Sequence, residues 1–235
     1  MFHRPILATA LVLTGLPAAL SAQSGSYRLN TILQQMNQAS KEFRSARAQM
    51  DCQYYERVVR DTTAQNGSIY FLRKGAAIQM GVVIDGPDGK PQKVVQYKDG
   101  LLELFDPGVN QLTVLHAGSN QAQEERYITL GFGGSGADLE KSWKIQDLGP
   151  EKLGEGAKQV QTEKLDLTSK DPGEKNFTHI TIWVDPSRAI SLRQIFYLSN
   201  DDRRTCNYSE IQSNGHIDMK PFEIRKNSRT SVVNH

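Results

Sequence analysis

The sequence has no excess of charge of one sign and few residues that could hold a metal. Of its 235 residues, 28 are Lys or Arg and 26 are Asp or Glu, so the formal net charge is +2. A protein that held nucleic acid by its phosphates would carry a basic excess, so no nucleic acid is expected as a partner. With two Cys and five scattered His, neither a metal nor another cofactor is expected.

Long apolar runs are missing except at the beginning of the chain. Residues 1–22 combine a positive start, which includes Arg4, with an apolar run over 5–20 and small residues at 21 and 22. This order is typical of a secretory signal peptide, and the run is too short to span a bilayer comfortably. We therefore predict export to the periplasm with cleavage after Ala22. An N-terminal membrane anchor is the alternative.

Export would place Cys52 and Cys206 in an oxidising compartment, where an even count of cysteines permits a disulfide. A bridge between them would close a long loop and stabilise the fold by roughly 4–5 kcal/mol in the chain-entropy model. Two buried, unpaired thiols are the other interpretation. The sequence leaves both open.

One amphipathic helix is predicted from Tyr27 to about Met50, because apolar residues recur there at helical spacing. The rest of the chain alternates between apolar and polar residues over short segments, which are separated by turn sequences such as Lys98-Asp99-Gly100. Many short strands joined by hairpin turns predict an antiparallel meander, in which 216–223 is the last strand. We predict one domain over 23–225, after the signal peptide at 1–22, and a frayed C-terminal tail at 226–235.

Motifs that would indicate catalysis are weak. Residues 131–136, GFGGSG, match the dinucleotide-binding fingerprint by letter, but no long helix and no parallel strand follow them. We therefore interpret this segment as a flexible loop. No Ser lies in a nucleophile elbow, and no two His have metal-ligand spacing. The sequence thus favours a binding protein over an enzyme: a sheet with one apolar face under a single helix could enclose an apolar ligand such as an acyl chain.

Several segments occur in an order that points to a family. Residues 97–113, YKDGLLELFDPGVNQLT, predict two strands around a tight Asp-Pro turn. They are followed by the loop at 130–139, the strands at 178–184 and 192–199, and the closing segment at 207–224. With the N-terminal helix and signal peptide, this order resembles the LolA-like periplasmic outer-membrane lipoprotein carriers of Gram-negative bacteria. The resemblance extends over nearly all of the chain after residue 22, and the order of the motifs carries it.

The resemblance implies an incomplete antiparallel β-barrel with a helical lid over an apolar cavity. It also implies a monomeric carrier that accepts acylated lipoproteins from an inner-membrane lipoprotein-releasing ABC transporter and delivers them to an outer-membrane receptor, with no covalent step. The alternative is an envelope regulator on the same fold that senses lipids or lipoproteins or binds a protein partner. An enzyme of unrecognised type is the third hypothesis.

The residues expected to face the acyl chain are the apolar members of each alternating segment. They are Ile78, Met80, Val82, Leu102, Leu104, Leu112, Val114, Ile180, Ile182, Phe196 and Leu198. The helix residues Leu33, Met36 and Phe43 are expected to pack over them, although the same residues could instead form a filled core.

In the family, an Arg-Pro pair after an early strand helps hold the lid, whereas this chain has Lys74-Gly75 there. Arg73 and Lys74 are therefore both candidates for the lid contact. Arg73 lies one position earlier, which in a strand points to the opposite face, and Lys74 lacks the planar fork of Arg.

Overall fold

Twelve strands form one open, curled sheet in the computed structural model, which describes residues 18–75, 77–116, 127, 130–156 and 159–234. The predicted fold class, an incomplete antiparallel barrel with an N-terminal helix and a short second helix, is confirmed. Most of the predicted signal peptide lies outside the described residues. Within them, no helix combines the length and the hydrophobicity that a membrane-spanning segment requires.

The two α-helices are α1 (Ala18–Glu42) and α2 (Gly136–Ser142), and a 3-10 helix spans Lys220–Phe222. The strands in chain order are β1 (Ser45–Glu56), β2 (Asp61–Lys74), β3 (Ala77–Asp85), β4 (Pro91–Lys98), β5 (Leu101–Asp106), β6 (Gln111–His116), β7 (Trp143–Leu153), β8 (Val160–Ser169), β9 (Phe177–Asp185), β10 (Ile190–Leu198), β11 (Arg203–Ser213) and β12 (Ser231–Asn234).

The sheet consists of two antiparallel meanders joined at one seam. Strands β1–β6 form the first meander and β7–β11 the second, and β1 pairs with β11 between them. Cys52 lies directly opposite Cys206 at this seam, and the two form a disulfide. Strand β12 adds to the free edge of β6 in parallel orientation.

Helix α1 spans Ala18–Glu42, so the predicted start at Tyr27 and the predicted end at about Met50 were both wrong. Residues 45–52 belong to β1, where Ala46, Ala48, Met50 and Cys52 are buried in strict alternation. This period of two fits a strand that pairs with β2 on one side and with β11 on the other. Pairing on both edges therefore overrides the helical pattern there.

The C-terminal segment also differs from the prediction. Residues 216–223 form no strand; instead Ile217 and Phe222 are buried against Tyr70 and Val83 on the face of the sheet opposite to α1. Pro221 lacks the N–H group that a ladder needs, which favours the 3-10 helix at this point. Residues 231–234 of the tail, which was expected to be frayed, form β12.

Candidate functional site

The inner face of the sheet, defined as the face that contacts α1, can be followed through the strand register. Directly paired residues point to the same side of a sheet. From one edge, the inner-face residues Leu167, Ile180 and Phe196 lie side by side on β8, β9 and β10. Beyond the disulfide seam, Phe71 and Met80 continue this face on β2 and β3. The inner face thus crosses both meanders.

The β7–β10 part of the inner face is filled. Leu33 and Met36 of α1 pack against Ile180 and Ile182, and all four side chains are at most 3% exposed. Leu139 of α2 belongs to the same cluster. Leu33, Met36, Ile180 and Ile182 were predicted as lid and ligand contacts. In this structure they form a core, which is the alternative that the sequence left open.

Phe132 and Phe43 cover the centre of the inner face. The Phe132 ring stacks on Phe71 with 4.1 Å between ring centroids, and it meets Tyr208 edge-on at 5.0 Å. Phe43, which follows α1 and is not part of it, belongs to the same buried cluster as Ile78. Burial of Tyr208 raises the pKa of its hydroxyl to about 12. The centre is thus apolar and closely packed.

The glycine-rich segment that carries Phe132, predicted to be a flexible loop, makes backbone hydrogen bonds at Gly131 and Gly133 in this structure. Gly131 accepts a hydrogen bond from the Ser191 N–H at 2.6 Å, and Gly133 donates to the Ala189 carbonyl at 3.0 Å. Gly131 and Gly133 have φ near +75°, which favours glycine. A Cβ on Gly133 would lie 2.3 Å from the Phe43 ring, so close packing also requires glycine there.

Arg73 and Lys74, the two candidates for the lid contact, lie on opposite faces. The Arg73 guanidinium donates from Nη2 to the Gly133 carbonyl at 2.7 Å and lies 5.8 Å from the centre of the Phe43 ring. Lys74 is exposed. Of the two, only Arg73 therefore contacts the segment over the inner face, because a shift of one residue in a strand reverses the side chain.

A strip of aliphatic side chains on the inner face of β3–β6 stays half-exposed, and we call it the open strip. Its half-exposed members are Met80, Val82, Ile84, Val95, Leu102 and Leu104, beside Leu115 at 37% exposure. The register places these residues on adjacent strands, with Val82 opposite Val95 and Val95 opposite Leu104. The buried clusters of α1 and α2 involve β7–β10 instead. The inner face of β3–β6 therefore offers partly exposed aliphatic side chains around Tyr97, which lies between Met80 and Leu102 and is 1% exposed.

Leu112 and Val114 do not share that surface with Leu102 and Leu104, as the prediction had placed them. Strand β6 pairs so that Leu104 faces Thr113 and Leu102 faces Leu115. Leu112 and Val114 therefore point to the outer face. They are buried there under the C-terminal segment, in a cluster that includes Val94, Phe105 and Ile224. The prediction placed Leu112 and Val114 on the wrong face, because an error of one residue in the strand register reverses every side chain.

The remaining predicted contacts lie near the other end of the sheet. Phe196 packs partly buried against the α1 cluster, and Leu198 is half-exposed opposite Phe177 at the end of β10. The sequence missed Val95, Ile84 and Leu115 of the open strip. Counting outward from the Asp106–Gln111 turn, which fixes the hairpin register, could have identified Leu115.

A group of charged side chains lies on the inner face where α1 meets β7. Arg28 donates from Nε to Asp147 Oδ2 at 2.6 Å, and the Asp147 side chain is 5% exposed. Burial raises the pKa of the nearby Glu163, and the Asp147 charge acts in the same direction. Across the described ranges, no three His, Cys, Asp or Glu come together as a metal site. This cluster fastens α1 to the sheet and holds no recognisable catalytic arrangement.

Comparison with known proteins identifies the fold. The chain matches no protein-family model. No curated protein matches it either. Among solved structures, an uncharacterized conserved protein from Thermus thermophilus matches with a TM-score of 0.52 and 13% identity over 92% of this chain and 99% of its own. MucB matches with a TM-score of 0.53 and 11% identity over 89% of this chain, which spans 66% of the MucB chain.

A LolA superfamily protein from Nitrosomonas europaea is also similar, with a TM-score of 0.39 and 14% identity over 83% of this chain and 97% of its own. The two structures with TM-scores above 0.5 therefore share the overall fold of this chain. Identities of this size show a shared fold alone. What the chain binds has to be argued from its own residues.

Proposed function

We propose that the protein is a periplasmic carrier that binds the acyl chains of lipoproteins on the open strip and shuttles them from the inner to the outer membrane. The observation that carries this proposal is the contrast between the two parts of the inner face. The β7–β10 part is filled by α1, whereas the side chains of the open strip remain partly exposed. An apolar surface of this kind is typical of a ligand or partner site.

The size of the open strip fits a moderate affinity. Four strands about 4.8 Å apart and the rise from Met80 to Ile84 give a surface of roughly 15 by 13 Å, or about 200 Å². At about 25 cal/mol per Å², covering it contributes at most on the order of 5 kcal/mol on the protein side, because Tyr97 within this area is already buried. A carrier has to release its cargo, so a shallow strip suits it better than a deep, closed cavity.

The Phe132 segment would act as the lid in this proposal. It lies over the centre of the inner face and is fastened by the bond from Arg73 to the Gly133 carbonyl. Moving the segment would expose Phe71 and Ile78, which continue the open strip toward the disulfide. No group in this region requires a covalent step, so the proposed activity is binding and transfer. An inner-membrane ABC transporter and an outer-membrane receptor are the proposed donor and acceptor.

A pair of variants tests the binding surface. Leu104→Gln places a polar amide in the middle of the open strip, and we expect about a ten-fold loss of affinity for a synthetic diacylated peptide. Val109→Gln is the matched control, since Val109 is 68% exposed in the β5–β6 turn. Both variants should keep the circular dichroism spectrum of the original protein. Equal binding by Leu104→Gln and the original protein would refute the assignment of the site.

Transport itself is tested by cargo and partners. Native mass spectrometry of protein purified from the cell envelope should show co-purified acylated peptides or lipoproteins. An empty protein that also fails to bind added diacylated peptide would contradict the carrier proposal. Capture of a protein partner in that case would favour the regulator alternative.

A further inference from the structure

We propose that Arg73 is an anion-binding subsite at one end of the open strip, so that the acyl ligand carries a carboxylate or phosphate group beside its hydrocarbon chain. This inference rests on the proposed function and adds the chemical class of the ligand's polar group. It follows from the position of Arg73, from the hydrogen bonds of its guanidinium and from the charges around it.

The position of Arg73 joins a cation to the apolar surface. Arg73 lies opposite Ile78 on the inner face, and Met80 and Val82 of the open strip follow on the same strand. Alternate residues along a strand are about 7 Å apart. An alkyl chain lying along β3 over Met80 and Val82 would therefore bring its polar end to the Arg73 guanidinium.

The Arg73 guanidinium has few partners for a charged group that is half-buried. Nη2 donates to the Gly133 carbonyl, whereas Nε is buried and has no hydrogen-bond acceptor in the structure. Among the residues described, no carboxylate forms an ion pair with Arg73; a carbonyl and the Phe43 ring alone face its charge. A buried cation and an unpaired N–H group are both costly without a partner. A carboxylate or phosphate could accept from Nε and Nη2 together, which is the bidentate geometry that arginine favours.

The surroundings of Arg73 are positively charged, although the whole chain is close to neutral. The Arg73 N–H donates to the Arg44 carbonyl at 2.8 Å, so these two residues are adjacent. Arg44 and Lys41 are exposed near the same end of β2, as is Lys74 on the opposite face from Arg73, and Glu42 is the acidic residue in these segments. Within the described part of the chain, none of these four forms an ion pair with the distances of a salt bridge. Such a local excess attracts an anionic group and disfavours a cationic one.

The bond from Arg73 to Gly133 suggests how the ligand enters the subsite. An anionic group would replace the Gly133 carbonyl as the acceptor for Nη2 and would supply an acceptor for Nε. Release of Gly133 then accompanies ligand binding, because one guanidinium serves the loop in one state and the ligand in the other.

Three ligands with the same alkyl chain test this inference. Titration calorimetry at low salt compares dodecyl phosphate, dodecanoate and dodecanol below their aggregation concentrations. We expect the anionic ligands to bind roughly 10–100-fold more tightly than dodecanol, which is the gain from one partly buried charge-assisted pair. A stronger preference for dodecyl phosphate would indicate a phospholipid-type group, and one for dodecanoate a free fatty acid; both support the subsite.

Variants assign the preference to Arg73. In Arg73→Gln the anionic ligands should bind at most about three-fold more tightly than dodecanol. Arg73→Lys should give an intermediate ratio of affinities, because lysine keeps the charge but lacks the planar guanidinium. Arg225→Gln, at an exposed position of the C-terminal segment, is the charge-matched control and should keep the full ratio. The ratio is the readout because loosening of the Gly133 segment would affect all three ligands alike.

Two results would overturn the inference. One is an original protein that binds dodecanol as tightly as the anionic ligands, and the other is a full ratio in Arg73→Gln. In both cases the carrier proposal would stand, since the alkyl chain still binds. Failure of all three alkyl ligands to bind would instead contradict the proposed function.

Discussion

Removing the Cys52–Cys206 disulfide should destabilise the protein strongly, because the bridge lies at the seam between the two meanders. The cysteines are 154 residues apart in sequence. In the chain-entropy model, a bridge that closes a loop of this length removes enough freedom from the unfolded chain to stabilise the fold by about 5 kcal/mol. Both side chains are 2% exposed in the central cluster, so replacing them by Ala also removes sulfur atoms from close packing.

The assay is urea unfolding of the original protein and of the Cys52→Ala/Cys206→Ala double variant, followed by tryptophan fluorescence. We expect the double variant to lose roughly 3–6 kcal/mol of unfolding free energy, and the original protein to lose a similar amount when a reductant is added. Reductant should leave the double variant unchanged, which is the internal control. A difference below about 1 kcal/mol would refute the reasoning that this bridge ties the seam.

Three further predictions concern the faces and the core. Leu112→Ala should lower the free energy of unfolding by about 2–5 kcal/mol, because Leu112 is 1% exposed on the outer face. Leu115→Ala should lower it by under about 1 kcal/mol, because Leu115 is 37% exposed. Similar losses for the two variants in urea unfolding would contradict the register. Gly133→Ala should lower the free energy of unfolding by at least about 1 kcal/mol more than Gly89→Ala does. Both glycines have a positive φ, but of the two only Gly133 lacks space for a Cβ. Equal melting temperatures of the two variants would argue against this packing. The free energy of unfolding should fall from about pH 10 to about pH 12 through Tyr208, by at most on the order of 3 kcal/mol, because its folded pKa of about 12 lies above the unfolded value and the unfolded chain releases the proton first. Tyr208→Phe should lack this part of the pH dependence, and an unchanged slope would show that Tyr208 does not contribute it.

Local patterns predicted most of the fold because hairpins are encoded over short distances. Alternation and turn residues identified β5 and β6, the two strands predicted within 97–113, and the Asp106–Gln111 turn fixed their register. The prediction failed in β1, where apolar residues fit a helix and a strand about equally well. It also failed at Phe222, since nothing nearby in sequence indicates that the C-terminal segment crosses the outer face.

The candidate site could be predicted only in part, because alternation shows that a strand has an apolar side and not which side faces the helix. Met80, Val82, Leu102 and Leu104 were placed on the inner face, where the structure has them. Leu112 and its neighbour Val114 have the same pattern and lie on the outer face.

The sequence by itself determined the class of the fold, since antiparallel strands with short turns depend on contacts between neighbours along the chain. Only the tertiary structure decided which apolar residues became core and which stayed accessible. That division depends on how far α1 extends over the sheet, on the seam between β1 and β11, and on the C-terminal segment across the outer face. Ile180 and Leu104 are both strand residues with apolar alternation, yet one lies under a helix and the other does not. The reason is physical: burial is set by contacts between segments far apart in the chain, which local periodicity does not encode.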